Sequence, residues 1–201
     1  TLYIAEARAL RGMFYFELVR RFGNVVLMTS TQMSNQNPAT YVQSAPEKVY
    51  EYIEDDLLYA CDILPYATDD QYRESNDYRF SKGAALGLLT KVYATWAGYP
   101  VKDESKWEAA AKTARILVES GKHGLLKDYE QLWKNTCNGT WDPTESLIEI
   151  SFYSPTVSGN SDPVGRSGKG NGVKTTAIAG VRGSCAANVK VVHTFVLDWR
   201  E

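Results

Sequence analysis

Four stretches of this chain carry apolar residues at helical spacing, and each is bounded by residues that start or stop a helix. In residues 2–22, Leu2, Ala5, Ala9, Gly12, Phe16 and Val19 recur at mainly three- and four-residue steps. A second set, Ile4, Ala7, Phe14 and Leu18, lies on another face, so this helix is expected to be packed on both sides. Glu17 stands three and four residues before Arg20 and Arg21, and Gly23 suits the stop. Ser44-Ala45-Pro46-Glu47 matches a capping box and predicts a second helix from Ser44. Its stripe is Val49, Tyr50, Ile53, Leu57, Cys61 and Leu64, with Glu51, Glu54, Asp55 and Asp62 largely off it and Pro65 ending the run. A third helix is predicted over 81–97. There Gly83, Ala84, Gly87 and Leu88 form a small-residue face that lets another helix approach closely. The fourth opens on a second capping box, Ser105-Lys106-Trp107-Glu108. Trp107, Ala110, Ala111, Ala114, Leu117 and Val118 make its single stripe, and Gly121 closes it. Asp128 to Lys134 is a further helical candidate.

These helices pair antiparallel, 2–22 with 45–64 and 81–97 with 105–120, in the manner of helix-hairpin repeats. Their start-to-start distance is about twice the roughly 34 residues of a regular tetratricopeptide unit, so the repeat is degenerate, with long insertions. The expected fold is mainly α: TPR-like antiparallel helix hairpins in an irregular superhelix, with a minor irregular and β-containing loop region. Residues 1–135 would be the helical scaffold, and 136–201 a loop-rich part of the same domain. Residues 24–43 and 66–80 read as loops. Ile148, Ile150 and Phe152 alternate with Glu149 and Ser151, as in a half-buried strand. Beyond Ser154 the chain reads as loop, with short strand candidates near Thr175–Ile178 and Val189–Val196.

Composition narrows the function classes. A net charge of −2 gives no general electrostatic grip on nucleic acid. No apolar run approaches the roughly 18 residues of a membrane span. Cys61, Cys137 and Cys185 form no CxxC pair. The chain starts at Thr1 and stops at Glu201 after an apolar stretch, and it reads as a piece of a longer protein. Any sorting signal or lipid-anchor cysteine would lie outside it.

Catalytic signals are poor. His123 and His193 are far apart and lack metal-binding context, so solvent or helix-end roles are expected. Gly165 to Gly170 departs from a phosphate loop, with Pro163 and Gly170 where Gly and Ser or Thr are needed. Asp55, Asp56, Asp69 and Asp70 read as a solvated face and loop rather than a glycosidase pair. No enzyme activity, cofactor or metal site is expected. Binding signals are better: 13 Tyr, 6 Phe and 5 Trp supply flat rings that stack on sugar C–H faces, while neighbouring amides and carboxylates bond the hydroxyls. Trp107 and Phe16 lie on helix stripes and read as core, and Trp96 is compatible with either role. Asn138, Trp141 and Asp142, in a turn-rich stretch before the strand, and Tyr153 after it, are the candidate ligand contacts.

Ala5-Glu6-Ala7-Arg8-Ala9-Leu10-Arg11 through Tyr15-Phe16 to Phe22-Gly23-Asn24-Val25-Val26-Leu27 resembles the early helical motif of the SusD/RagB family, an AEARFLRA-type helix running into a YFGDVPL-type segment. Ser44 to Leu57, Arg79-Phe80-Ser81-Lys82-Gly83-Ala84-Ala85-Leu86 to Tyr93, Trp107 to Leu125, and Glu145-Ser146-Leu147-Ile148-Glu149-Ile150 resemble its later segments in the same order. The resemblance covers about residues 1–153. Val26 stands where the family usually has proline, and Gly12 and Gly87 where it usually has alanine. It implies a lipoprotein on the outer face of the Bacteroidetes outer membrane. Such a protein holds a nutrient glycan, or in some members a peptide, for a SusC-like TonB-dependent transporter, and catalyses nothing. A helical-repeat adaptor that binds only proteins is the reading from another class. It would show no exposed aromatic site in residues 136–185.

Overall fold

In α1 (Leu2–Phe22), Ala5, Ala9, Gly12, Phe16 and Val19 form one buried face, as the periodicity predicts. The helix stops at Gly23, which adopts φ 69° and donates its N–H to the Val19 carbonyl at 2.9 Å. A side chain resists that backbone conformation. The computed structural model describes residues 1–30, 35, 37–69, 79–138 and 140–149, all within one unit, Thr1–Glu149. Its other helices are α2 (Pro46–Ile63), α3 (Lys82–Ala97), α4 (Lys106–Glu119) and α5 (Tyr129–Asn138). α1 packs on α2, α2 on α3, and α3 on α4, which gives the two expected hairpins in a continuous stack. The predicted strand at 148–152 is irregular at Ile148 and Glu149. Ile150 to Phe152 lie outside the described residues, as do the candidates at Thr175–Ile178 and Val189–Val196 and the loop at Gly165–Gly170.

The core runs along the seams between the first three helices. Phe16, Val49, Ile53, Leu57, Leu89 and Val92 are fully buried, each large side chain contributing about 1.5–3 kcal/mol. Tyr50 stacks on Trp96 with ring centroids 5.3 Å apart, so Trp96 belongs to the core. Gly12 lets α2 approach: a Cβ there would lie 3.3 Å from Leu57 Cγ. At the outer edge of this seam Lys106 pairs with Glu54 at 3.0 Å and lies 3.9 Å over the Trp96 ring. Tyr93 donates to the same carboxylate at 2.7 Å. Burial and that bond push the Tyr93 phenol pKa up.

Several expectations are corrected. Ser44 does not cap α2; it sits in strand β2 (Gln43–Ser44), which pairs antiparallel with β1 (Val25–Val26). Helix α2 begins at Pro46 after Ala45, because proline preorganises the first turn without needing an N–H partner. The 24–43 excursion is therefore closed at its base. Ser105 likewise makes no capping bond to α4; its hydroxyl donates to Asp103 instead. The small side chains Ala110 and Thr113 are the buried positions of α4, and Trp107 is 54% exposed rather than core. The second face of α1 is open, with Phe14 59% exposed.

Asp56 departs most from expectation. It is fully buried, not solvated, and α1 supplies its counter-charges. Arg8 Nε donates to Oδ1 at 2.7 Å, and Arg11 donates through Nε to Oδ2 at 2.7 Å and Nη2 to Oδ1 at 2.8 Å. Each guanidinium also lies over an aromatic ring of α2, Arg8 over Tyr59 at 4.3 Å and Arg11 over Tyr52 at 4.7 Å. The Asp56 bonds raise the Arg11 pKa.

Two outcomes follow. Asp56→Ala should destabilise the protein by about 2 kcal/mol in urea unfolding, below the cost of a fully buried pair because both arginines reach solvent. The Cys61 thiol is pushed up to about 12 by burial, with the Lys82 charge opposing. It should therefore alkylate at pH 8 at least about a hundredfold more slowly than an exposed cysteine, as peptide-mapped iodoacetamide labelling would read.

Candidate functional site

After Gly121, φ 65°, the chain leaves the helical stack and returns before residue 149. Two glycines of α3 receive this excursion. A Cβ on Gly83 would lie 2.1 Å from His123 Nε2, and one on Gly87 would lie 2.6 Å from Leu147 Cδ1. The small-residue face is thus used for close approach by two side chains of the excursion, and Leu117 of α4 also lies 3.9 Å from a Cβ on Gly87. His123 is half-buried rather than free in solvent. Its Nδ1 lies 3.0 Å from the Pro143 carbonyl, and Tyr66 packs beside its ring. Next along, the Gly124 N–H donates to the Thr144 carbonyl at 3.0 Å, and the Leu126 N–H donates to Glu145 Oε2 at 2.6 Å. These bonds draw the two ends of the excursion together.

Between those ends lies α5. Tyr129 and Trp133 stand four residues apart on it, hence on one side of the helix and about 6 Å apart along its axis. Tyr129 is 81% exposed and Trp133 67% exposed. The Glu130–Lys134 pair, at 2.9 Å, flanks the rings, while Gln131 and Asn135, bonded at 2.7 Å, lie on the opposite side of the helix. Two flat apolar faces with a charged edge suit a ligand that has both C–H faces and hydroxyls. Among the described residues no group of three or more histidine, cysteine or acidic side chains is placed to hold a metal ion. No described helix is long and apolar enough to cross a membrane.

Of the sequence-predicted contacts, Asn138, Trp141 and Asp142 fall at or just after the end of this helix. Asn138 ends α5. Trp141 is only 9% exposed and faces inward. Asp142 folds its own turn, its Oδ1 accepting from the Thr144 N–H at 2.8 Å and its carbonyl from the Ser146 N–H at 2.9 Å. Tyr153 lies outside the described residues. Sequence reasoning passed over Tyr129 and Trp133. The available signal was an aromatic pair at i and i+4 in a segment with few other apolar residues.

A family model described as "Starch-binding associating with outer membrane" (SusD-like) matches residues 3–94, which span α1 to most of α3. The crystal structure of a SusD homolog from Bacteroides thetaiotaomicron is 99% identical over 99% of this chain, at a TM-score of 0.91. The chain belongs to the SusD-like family. It covers 37% of that crystal chain and about a quarter of the length of the curated SusD-like relatives it matches. A laminarin binding SusD-like protein is 33% identical, with a TM-score of 0.54, over 73% of this chain and 30% of its own. A structure solved with xylogluco-oligosaccharide is 31% identical, with a TM-score of 0.58, over 76% of this chain and 30% of its own.

Gly83→Ala should expel the His123 ring and break its contact with Pro143. Hydrogen exchange would then accelerate by about tenfold or more in residues 122–147, with α3 amides unchanged.

Proposed function

We propose that the protein carrying this chain binds a nutrient glycan at the outer face of the outer membrane and hands it, chemically unaltered, to a SusC-like TonB-dependent transporter. One observation carries the glycan assignment. Two similar solved structures, at 33% and 31% identity, are a laminarin binding SusD-like protein and one solved with xylogluco-oligosaccharide. The exposed Tyr129 and Trp133 pair supports it, since sugar rings stack on such faces. Outer-membrane placement rests on the description of the matching family model.

In this proposal α5 is the stacking platform. Asn138, Trp141, Asp142 and Tyr153 are further proposed ligand contacts. Several weak contacts along one polymer suffice. Tethering to the transporter raises the local ligand concentration at the pore without any further affinity.

Titration of the full-length protein with laminarin, xylogluco-oligosaccharides, other soluble glycans and mixed peptides, read by tryptophan fluorescence and calorimetry, tests this. Saturable binding to a glycan is expected, weakened about tenfold by Trp133→Ala. Alanine substitution of Asn138, Trp141, Asp142 and Tyr153 in the same titration tests each of those contacts. A response to peptides alone would place the protein with the peptide-binding members. No response to either class would favour a protein–protein adaptor.

A further inference from the structure

Of the described helices α5 is the least supported, and it carries the two exposed rings. The packed seams join α1 to α2, α2 to α3 and α3 to α4, and α5 stands outside them. From Tyr129 to Asn135 no residue is buried, and only Leu132 and Asn135 are half-buried. At 10 residues the helix is shorter than the roughly 12–15 that an isolated helix needs in water.

What holds α5 is local. Asp128 stands immediately before it, accepts the Glu130 N–H on Oδ1 at 2.9 Å and receives the Leu132 N–H on its carbonyl at 3.3 Å. Losing an N-cap side chain of this kind shifts a local helix equilibrium by about fivefold. The Glu130–Lys134 and Gln131–Asn135 pairs each add about twofold or less. The spacing of the rings depends on this helix. When it is formed, Tyr129 and Trp133 are about 6 Å apart along its axis, whereas an extended chain would separate the same positions by about 13 Å. A ligand that stacks on both rings therefore selects the helical form and draws the population toward it. Its apparent Kd is the intrinsic value divided by the helical fraction.

We infer that α5 forms and melts in the ligand-free protein, that glycan binding is coupled to its formation, and that Asp128 is a positioning residue for that binding. The inference rests on the glycan reading of the Tyr129–Trp133 surface. Asp128 acts through the backbone, because its Oδ1 is engaged by the Glu130 amide.

Two measurements on the full-length protein test this. In hydrogen exchange, the amides of residues 132–138 should exchange within about tenfold of the unfolded rate without ligand. Saturating laminarin or xylogluco-oligosaccharide should slow them at least about tenfold, with α3 amides unchanged. In calorimetric titration with the same glycans, Asp128→Ala should weaken binding about three- to fivefold, with the urea midpoint of global unfolding unchanged. Asp128→Ser, which still caps, should keep the affinity within about twofold of the unsubstituted protein. Protection of α5 above about a hundredfold without ligand would overturn the inference. So would an affinity that Asp128→Ala leaves unchanged, or a loss that Asp128→Ser does not recover. Binding with unaltered α5 exchange removes the coupling alone. If the unsubstituted protein binds neither glycan, the glycan reading falls and takes the coupling with it.

Discussion

A carboxylate sealed between two helices is tolerated only if its charge is met in place. Asp56 meets it with two guanidiniums from one neighbouring helix, Arg8 and Arg11, one turn apart on α1. Sliding α1 past α2 by a turn would withdraw a cation and leave a buried charge uncompensated, at a cost of several kcal/mol. The register this sets brings Gly12 against Leu57 and Phe16 against Tyr50. Tyr50 in turn stacks on Trp96, and Trp96 lies under Lys106 at the start of α4. An electrostatic constraint in the first seam thus passes through aromatic contacts to the fourth helix.

The helices were legible because periodicity and punctuation agreed. Gly23 and Gly121 stop helices with φ values near 70° and 65°, and Ser81 caps α3 by accepting the Ala84 N–H. Two features were hidden for definable reasons. A capping box is a local pattern, and at Ser44 a long-range strand pairing with Val25 took precedence. Asp56 follows Asp55 and resembles a solvated surface pair. Its burial depends on arginines 45 and 48 residues earlier, which no window of neighbouring residues contains.

The candidate binding surface was legible in chemistry and not in exposure. Residue types singled out the stretch around Trp141, where an aromatic sits among amide, hydroxyl and carboxylate groups. The fold turns that ring inward and displays Trp133 and Tyr129 outward on α5. The excursion is held against α3 by His123 in the Gly83 socket and Leu147 in the Gly87 socket. Glycine at those positions reads in sequence as mere smallness, whereas its use is to accept a side chain from far along the chain. Trp107 shows the converse: it lies on a helical stripe, yet α4 is buried through alanine and threonine.

The excursion at 24–43 is clipped at its root by a two-residue ladder, and the one at 121–149 by His123, Gly124 and Leu126 against Pro143, Thr144 and Glu145. Closing a longer flexible loop adds only about 0.6 kcal/mol for each doubling of its length. The tips can therefore lengthen, shorten or change composition while the helices beneath keep their arrangement. A lineage built on this frame can explore new ligands by rewriting a few dozen residues, leaving the ion clamp and the aromatic stack untouched.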